Sequence, residues 1–497
     1  MALEPLSTAD VFVLTFNAQK QLINVPVFAT HLLDAFTHHA AALPDLVVFS
    51  LQEMAPLAKA FVGTQLLGPY FDAYETALNR AAAKYMGQNT KNTTSDSAEG
   101  SPFSLIATRN VGMTASIVFA RDAATVSSVR AAEVGFGAGD MANKGAVGLR
   151  LLYTSPRGGG GDGDGRTEIT FVTTHLAAME WNLAKRNKNW ASLVSGLVFE
   201  DPQKYVDRAA ARSRDSGAAS RVRGAEGGFG LADESRGLLE GDRSELDRDL
   251  HNLSIYKPGS HLFVAGDLNY RISTTSPESE DVFPSVDPNS PDYYPKFLDR
   301  DQLTQERKAG RTLHGMSEAD IKFPPTYKLV CLPKDDESTD SSAEQAGSSS
   351  SKDFQVDDVK WKWALHRWPG WCDRILYRDT PQTKMRVIAY DALPPIRTSD
   401  HRPVYLRIQV PLIAPETLGA IPDAIEDDSG VLDTRVALPF PVDLDSWRHR
   451  ASVKKWESAM GWSLLAAQSK QIIASVLATL LLVGVGAWWY TAMSSVV

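Results

Sequence analysis

The chain has 497 residues, 43% of them hydrophobic and 22% charged, which is the profile of a packed globular protein and excludes a disordered or fibrous one. A formal net charge of −9 excludes the basic footprint of a general nucleic-acid binder, so an anionic substrate has to be met by local cations. Two cysteines, Cys331 and Cys372, are too few to staple a chain of this size and suit a reducing compartment.

The N-terminal MALEPLSTADVF has no basic stretch leading into an apolar one, so a secretory signal is not expected. Short β-rich runs bounded by turn residues then follow in order: VFVLTFN, LVVFSLQ, SIVFA, GAVGLRLLY, ITFVTTHL, LFVAGDL, RILY and VYLRIQV. Helical periodicity falls at Val27 to Ala41, Pro56 to Leu67 and Ala178 to Val198, between the strands and not apart from them. The pattern predicts an α/β protein with sheet packed on sheet and helices outside, over residues 8–412. Stretches near 87–101, 155–167 and 333–357 are rich in Gly, Ser, Asp or Glu and read as surface insertions. Residues 204–252 show little periodicity and read as a further long insertion. Residues 413–470, rich in Pro and Asp at first, read as a linker and juxtamembrane segment. No charge follows Lys470, and IIASVLATLLLVGVGAWWY from Ile472 to Tyr490 matches the roughly 20 apolar residues that a bilayer-spanning helix needs. Residues 471–493 are therefore expected to be a transmembrane tail anchor, with Trp488, Trp489 and Tyr490 as an interfacial belt. Lys454, Lys455 and Lys470 orient the N-terminal bulk toward the cytosol.

Polar residues recur where the apolar strands run out: Asn17, Glu53, His175, Asp267 with Asn269, and Asp400 with His401. One such residue alone is usually a cap or turn former; five sites together point to strand ends converging on one rim. Carboxylates, amides and imidazoles without paired cysteines favour a hard cation such as magnesium over structural zinc. They are the equipment of metal-assisted phosphate ester hydrolysis, in which cations stabilise the phosphoryl oxygens and a carboxylate orients water.

The segments PPTYK, GDLNYRI, WCDRIL and SDHRPV, together with NKGAVG from Asn143 and THLAAxxxxxxxRN from Thr174 to Asn187, resemble in their order the motifs of inositol polyphosphate 5-phosphatases. The chain also resembles fungal tail-anchored phosphatidylinositol 4,5-bisphosphate 5-phosphatases. The resemblance implies a four-layer α/β/β/α sandwich of the endonuclease/exonuclease/phosphatase kind, a magnesium cofactor, and a phosphoinositide headgroup in a membrane as substrate. By motif, Glu53 with Asn17 would hold the metal, Asp267 would activate water, and Asn269, His175 and His401 would meet the scissile phosphate. Asp400 would orient a histidine or help place the metal. Asn143 and Lys144 would lie on the substrate side, Tyr327 and Lys328 would recognise a neighbouring 4-phosphate, and Arg367 would bind phosphate. Trp371, Arg271, Asp373 and Arg374 read as structural.

This sequence departs from the family pattern in several places. TFNAQK lacks a second asparagine and a glycine, Ala142 and Ala146 stand where glycines are usual, and Met179 and Asn189 replace a histidine or glycine and an aspartate. Leu365, two residues before Arg367, stands where many members carry a lysine, which bears on headgroup preference. Two other readings are a nuclease or other phosphodiesterase of the same fold, disfavoured by the acidic balance, and a non-catalytic membrane adaptor, disfavoured because the constellation is complete. The expected location is the endoplasmic reticulum membrane with the catalytic domain cytosolic, the mitochondrial outer membrane being the other candidate.

Overall fold

Every second residue of a strand faces the same way, so a strand apolar on both faces has to lie between two packed layers. In the computed structural model of the chain, described for residues 7–38, 42–89, 101–156, 165–223, 244–333, 354–379, 384–420, 433–469, 479 and 481–486, the expected strands occupy that situation. The thirteen strands described are β1 (Thr8–Asn17), β2 (Leu46–Gln52), β3 (Ser104–Val111), β4 (Thr114–Ala120), β5 (Val126–Gly135), β6 (Gly145–Thr154), β7 (Arg166–His175), β8 (His261–Asp267), β9 (Leu329–Cys331), β10 (Trp361–Trp363), β11 (Asp373–Tyr377), β12 (Arg386–Ala392) and β13 (Val404–Pro411). One six-stranded sheet runs β12-β13-β1-β2-β4-β3, a five-stranded sheet runs β11-β8-β7-β6-β5, and β9 pairs with β10. Each large sheet holds one parallel pair, β1 with β2 and β7 with β8.

The helices are α1 (Val25–Thr37), α2 (Leu57–Val62), α3 (Thr64–Asn89), α4 (Leu183–Gly196), α5 (Gln203–Arg223), α6 (residues 244–253), α7 (Gln302–Lys308), α8 (Pro415–Leu418) and α9 (Ser446–Gln468). In β1, Val11 and Val13 face the other sheet and join Val48, Leu149, Phe171 and Phe263 in a central core. Phe12, Leu14 and Phe16 point the other way, onto α1 and α3 through Phe28, Phe36 and Tyr74. In β8, Phe263 faces the central core, while Leu262 and Val264 pack with Trp190 and Leu193 of α4. The result is the expected α/β/β/α sandwich, with each hydrophobic face covered by the next layer.

The structure also departs from the sequence reading. The periodic stretch Pro56 to Leu67 is two helices, because Gly63 takes φ +89°, a left-handed value that ends α2 and costs glycine little. Strands β3 and β5 escape the sequence pattern because each is a sheet edge with many exposed positions and no sustained apolar run. Where a long insertion is expected over 204–252, the described parts are helical, in α5 and α6. Where a linker is expected over 413–470, α9 packs back onto the body, burying Val453, Glu457 and Gly461. Among the described residues no helix is long and apolar enough to cross a membrane. The span expected over 471–493 falls mainly outside them. Its described residues, 479 and 481–486, are helical, with Leu481, Leu482, Val483 and Val485 exposed.

Candidate active site

Parallel strands end on the same side of a sheet, so residues at their C-terminal ends share a rim. Asn17 ends β1, Glu53 follows β2, and His175 and Asp267 end β7 and β8 directly opposite one another in register. The antiparallel strands β11 and β13 begin at that rim, which adds Asp373, paired in register with Asp267, and His401. The two sheets meet there: Asn17 Nδ2 donates to Asp267 Oδ2 at 3.1 Å, across 250 residues of sequence.

Asp267 is buried, and its Oδ2 lies 3.2 Å from His175 Nε2 and 3.9 Å from His401 Nε2. Burial alone would raise its pKa, but His175, His401 and the Lys144 ammonium together hold it well below the ordinary carboxylate range. His401 Nδ1 bonds Asp373 Oδ2 at 2.8 Å. Burial disfavours the imidazolium, yet Asp373, Asp267 and Asp400 raise it to about 9, so the ring is a cation at neutral pH. Burial pushes Asp373 the other way, toward the neutral acid; we assign the shared proton to His401 because three carboxylates face that ring. His175 is the opposite case, held neutral by burial and by Lys144, whose ammonium touches its Nε2. Desolvation lowers Lys144 itself to about 8. Although part of Lys144 stays accessible, its amino head lies within the site, and the head determines that shift.

Asn269 follows in a left-handed conformation, φ 57°, with Glu53 at φ 44°. Such strain in residues other than glycine concentrates at functional sites. The Asn269 amide is engaged on both sides, its Oδ1 accepting from Arg271 Nη2 at 2.5 Å and its Nδ2 donating to Leu176 O. Arg271 in turn lies over the Tyr327 ring, 4.3 Å from its centroid, and that ring packs against His401 at 4.6 Å. Lys328 Nζ bonds Asp400 Oδ2 at 2.5 Å, and the hydrogen bond to Asp400 helps hold its pKa above the ordinary value against burial. Arg367 lies over the loop after His175, near Met179 Sδ and Glu180. Asn143 is exposed beside Lys144. His175 Nδ1, Asp373 Oδ1, Arg271 Nη1 and Glu180 Oε1 are buried without a protein partner, a concentration of unmet hydrogen-bonding capacity around one rim.

The residues expected from sequence lie along this rim and the loops beside it. Asp400, expected to orient a histidine or help place the metal, pairs with Lys328 and also lies 3.9 Å from His401 Nε2, while Asp373 holds the other ring nitrogen. Asp400 and Asp373 approach the ring from different elements, Asp400 from the residue before it and Asp373 from the start of β11 in the other sheet. Asp373 and Arg271, set aside as structural, belong to the site; their positions inside WCDRIL and GDLNYRI were the available signal.

Among the described residues, two places offer ligands for a cation. Ligand atoms of Asp267, Asp373 and His401 lie within 4.8 Å of one another. There His401 Nδ1 is already hydrogen-bonded to Asp373, so a cation would have to compete for Asp373 or use the other ring nitrogen. Glu53 and Asn17 offer oxygen donors suited to a hard cation, and the partly exposed Glu53 carboxylate meets Lys20 at 3.1 Å.

The His401 shift carries a pH prediction. Raised from about 6.5 unfolded to about 9 folded, the group adds stability that is fully present below pH 6.5 and lost as pH climbs through about 9. Denaturant midpoints of the natural chain and His401→Asn should draw together between pH 6.5 and about 9.5. Parallel curves would remove the charge from His401.

Residues 14–407 match the model of endonuclease/exonuclease/phosphatase family 2. Among curated proteins, phosphatidylinositol 3,4,5-trisphosphate 5-phosphatase 1 of Xenopus laevis is 24% identical over 273 residues, 55% of this chain and 19% of its own length. Type I inositol polyphosphate 5-phosphatase 13 of Arabidopsis thaliana is 28% identical over 288 residues, 56% of this chain and 20% of its own. Synaptojanin of Caenorhabditis elegans is 24% identical over 312 residues, 62% and 20%. The chain thus spans about a fifth of the length of these relatives. The solved inositol polyphosphate 5-phosphatase domain of SPsynaptojanin, in complex with inositol (1,4)-bisphosphate and calcium ion, superposes with a TM-score of 0.51 at 18% identity, covering 94% of each chain. That likeness concerns the fold.

Proposed function

This chain belongs to endonuclease/exonuclease/phosphatase family 2, with inositol polyphosphate 5-phosphatases among its relatives, and from that premise we propose that it is a phosphoric monoester hydrolase removing the 5-phosphate of phosphatidylinositol 4,5-bisphosphate. The observation that carries the reading is the buried Asp267 carboxylate, kept ionised among His401, His175, Lys144 and Asn17 at the meeting of two sheets.

In this reading Asp267 accepts a hydrogen bond from a water and aims it at phosphorus. The water oxygen bonds to phosphorus as the bond to the inositol oxygen breaks; of the water's two protons one stays on the released phosphate and the other ends on the departing alkoxide. The low pKa of Asp267 makes it an orienting acceptor more than a proton store. The His401 imidazolium and the Lys144 ammonium neutralise charge on the phosphoryl oxygens in a site with little water, where fixed cations act most strongly. A magnesium ion held by Glu53 with Asn17 would supply further Lewis-acid charge to the same oxygens. Lys328 and Tyr327 lie next to His401, within reach of a phosphate adjacent to the scissile one.

Lys328→Met should therefore lower kcat/KM for the 4,5-bisphosphate headgroup by about 10- to 100-fold, the value of a hydrogen bond to a charged group. It should cost much less on a 5-phosphate headgroup lacking the 4-phosphate; equal losses would separate Lys328 from recognition. We further propose that the apolar segment Ile472 to Tyr490 anchors the enzyme in the endoplasmic reticulum membrane with its site on the cytosolic side, which raises the effective concentration of lipid substrate.

The test is phosphate release by the full chain reconstituted into phosphatidylinositol 4,5-bisphosphate vesicles, with and without magnesium, and with the product identified. Formation of the 4-phosphate lipid only with magnesium supports the proposal. Activity confined to soluble inositol phosphates would refute the lipid substrate, and no release from either would refute the hydrolase.

A further inference from the structure

We propose that Glu457, on the C-terminal helix α9, is a positioning residue for the loop that presents Asn143 and Lys144, so that the helix leading toward the apolar tail is part of the support of the active site. The catalytic consequence rests on the phosphatase reading above; the positioning itself does not.

Glu457 is 3% exposed. A carboxylate is withdrawn from water only at substantial cost unless charge and hydrogen bonds replace the hydration. One partner is Arg450, two turns earlier on α9, whose Nη1 and Nη2 donate to the two carboxylate oxygens at 2.8 and 2.7 Å. The other is the backbone N–H of Ala142, which donates to Oε1 at 2.6 Å from 315 residues away. A segment that had only to space an anchor from a domain would gain nothing by burying a charge against that particular amide.

Ala142 is held at its carbonyl as well. Gly112, at φ +50°, approaches so closely that a Cβ there would stand 1.7 Å from Ala142 O. Asn143 and Lys144 are the next two residues. The turn that ends at them is closed by Phe136 N donating to Lys144 O and Gly137 N donating to Met141 O, each at 2.8 Å. A shift at Ala142 is therefore passed to Lys144, whose ammonium touches His175. Helix α9 is itself seated firmly. A Cβ at Gly461 would meet Ala58 O and Val62 N of α2 at 2.9 Å, and His449 Nε2 reaches Asp140 Oδ2 at 2.9 Å. Helix α2 follows Glu53 by a few residues, so α9 braces the segments behind both the proposed metal corner and the Lys144 turn. It does so from beyond residues 14–407, the part that matches the family.

The test compares the full chain with Glu457→Ala and Glu457→Gln, the latter retaining an oxygen that can accept from Ala142. Two readouts are used: steady-state kinetics on phosphatidylinositol 4,5-bisphosphate vesicles and backbone hydrogen exchange. In Glu457→Ala, exchange over residues 136–145 should accelerate about tenfold or more while β13 is unchanged, and kcat should fall about tenfold with KM nearly constant. Glu457→Gln should recover most of both. Unchanged exchange over 136–145, or acceleration spread evenly over the domain, would overturn the proposal. If the natural chain shows no turnover, the phosphatase reading fails and the exchange result still decides the positioning. If Glu457→Ala does not fold, Gly461→Ala, which presses α9 off α2, should loosen residues 136–145 in the same way, and no loosening there would overturn the proposal.

Discussion

Replacing Asp267 by asparagine is expected to lower kcat on phosphatidylinositol 4,5-bisphosphate by about 10³-fold, within the range for loss of a positioned acid–base group, while leaving KM within a few-fold. The substitution keeps the volume of a buried side chain that meets Asn17, His175 and His401, so the sandwich should persist. What it removes is an acceptor-only group. An amide offers one acceptor and two donors, and its donors would face Asn17 Nδ2 and the imidazolium of His401, both of which already donate. The water would lose its orienting partner and His401 one of its countercharges. The phosphate-side cations Lys144, Lys328 and Arg367 would remain, which is why binding should largely survive. Phosphate release at saturating substrate, with circular dichroism to check the fold, reads both halves. A kcat within tenfold of the natural chain would move the orienting role elsewhere.

Arg374→Met is expected to have the largest effect on stability, about 3–5 kcal/mol, the usual cost of stranding a buried partner of opposite charge. Arg374 is completely buried in β11. Its guanidinium reaches Glu318 through Nε at 2.6 Å and Nη2 at 2.7 Å, and both oxygens of Asp301 through Nη1 at 3.0 Å. Methionine fills a similar volume but leaves two buried carboxylates facing each other without a cation. Arg374→Lys should recover only part of the loss, because one ammonium cannot reproduce the fork that serves both acids. Denaturant midpoints of the three chains test this. A midpoint for Arg374→Met close to the natural one would show that the acids take up protons or water at little cost. Because β11 begins with Asp373, part of the loss should also appear at His401.

Much of the site can be read from order and pattern. Asn17, Glu53, His175 and Asp267 stand where an apolar run stops, and an apolar run long enough to cross a buried sheet stops only at its rim. The edge strands β3 and β5 could not be read so, since an edge faces water on one side and needs no continuous apolar face. Helix α9 was hidden for a related reason. Its buried face holds Arg450, Glu457 and Gly461, a charge pair and a glycine that mark burial only when the partner surface is known.

The sequence by itself determined the layers, the strands whose ends make the rim, and the residue types gathered there, because these follow from the period of side-chain direction along a strand and from short motifs. Only the tertiary structure decided which carboxylate serves which cation. Asp373, 28 residues before His401, takes the ring that Asp400 adjoins in sequence, and Asp400 takes Lys328. Glu457 holds the Ala142 amide from 315 residues away. Pairing of charges depends on distances of a few ångströms between chain segments brought together by sheet register and helix docking, and no local spacing in the sequence encodes those distances.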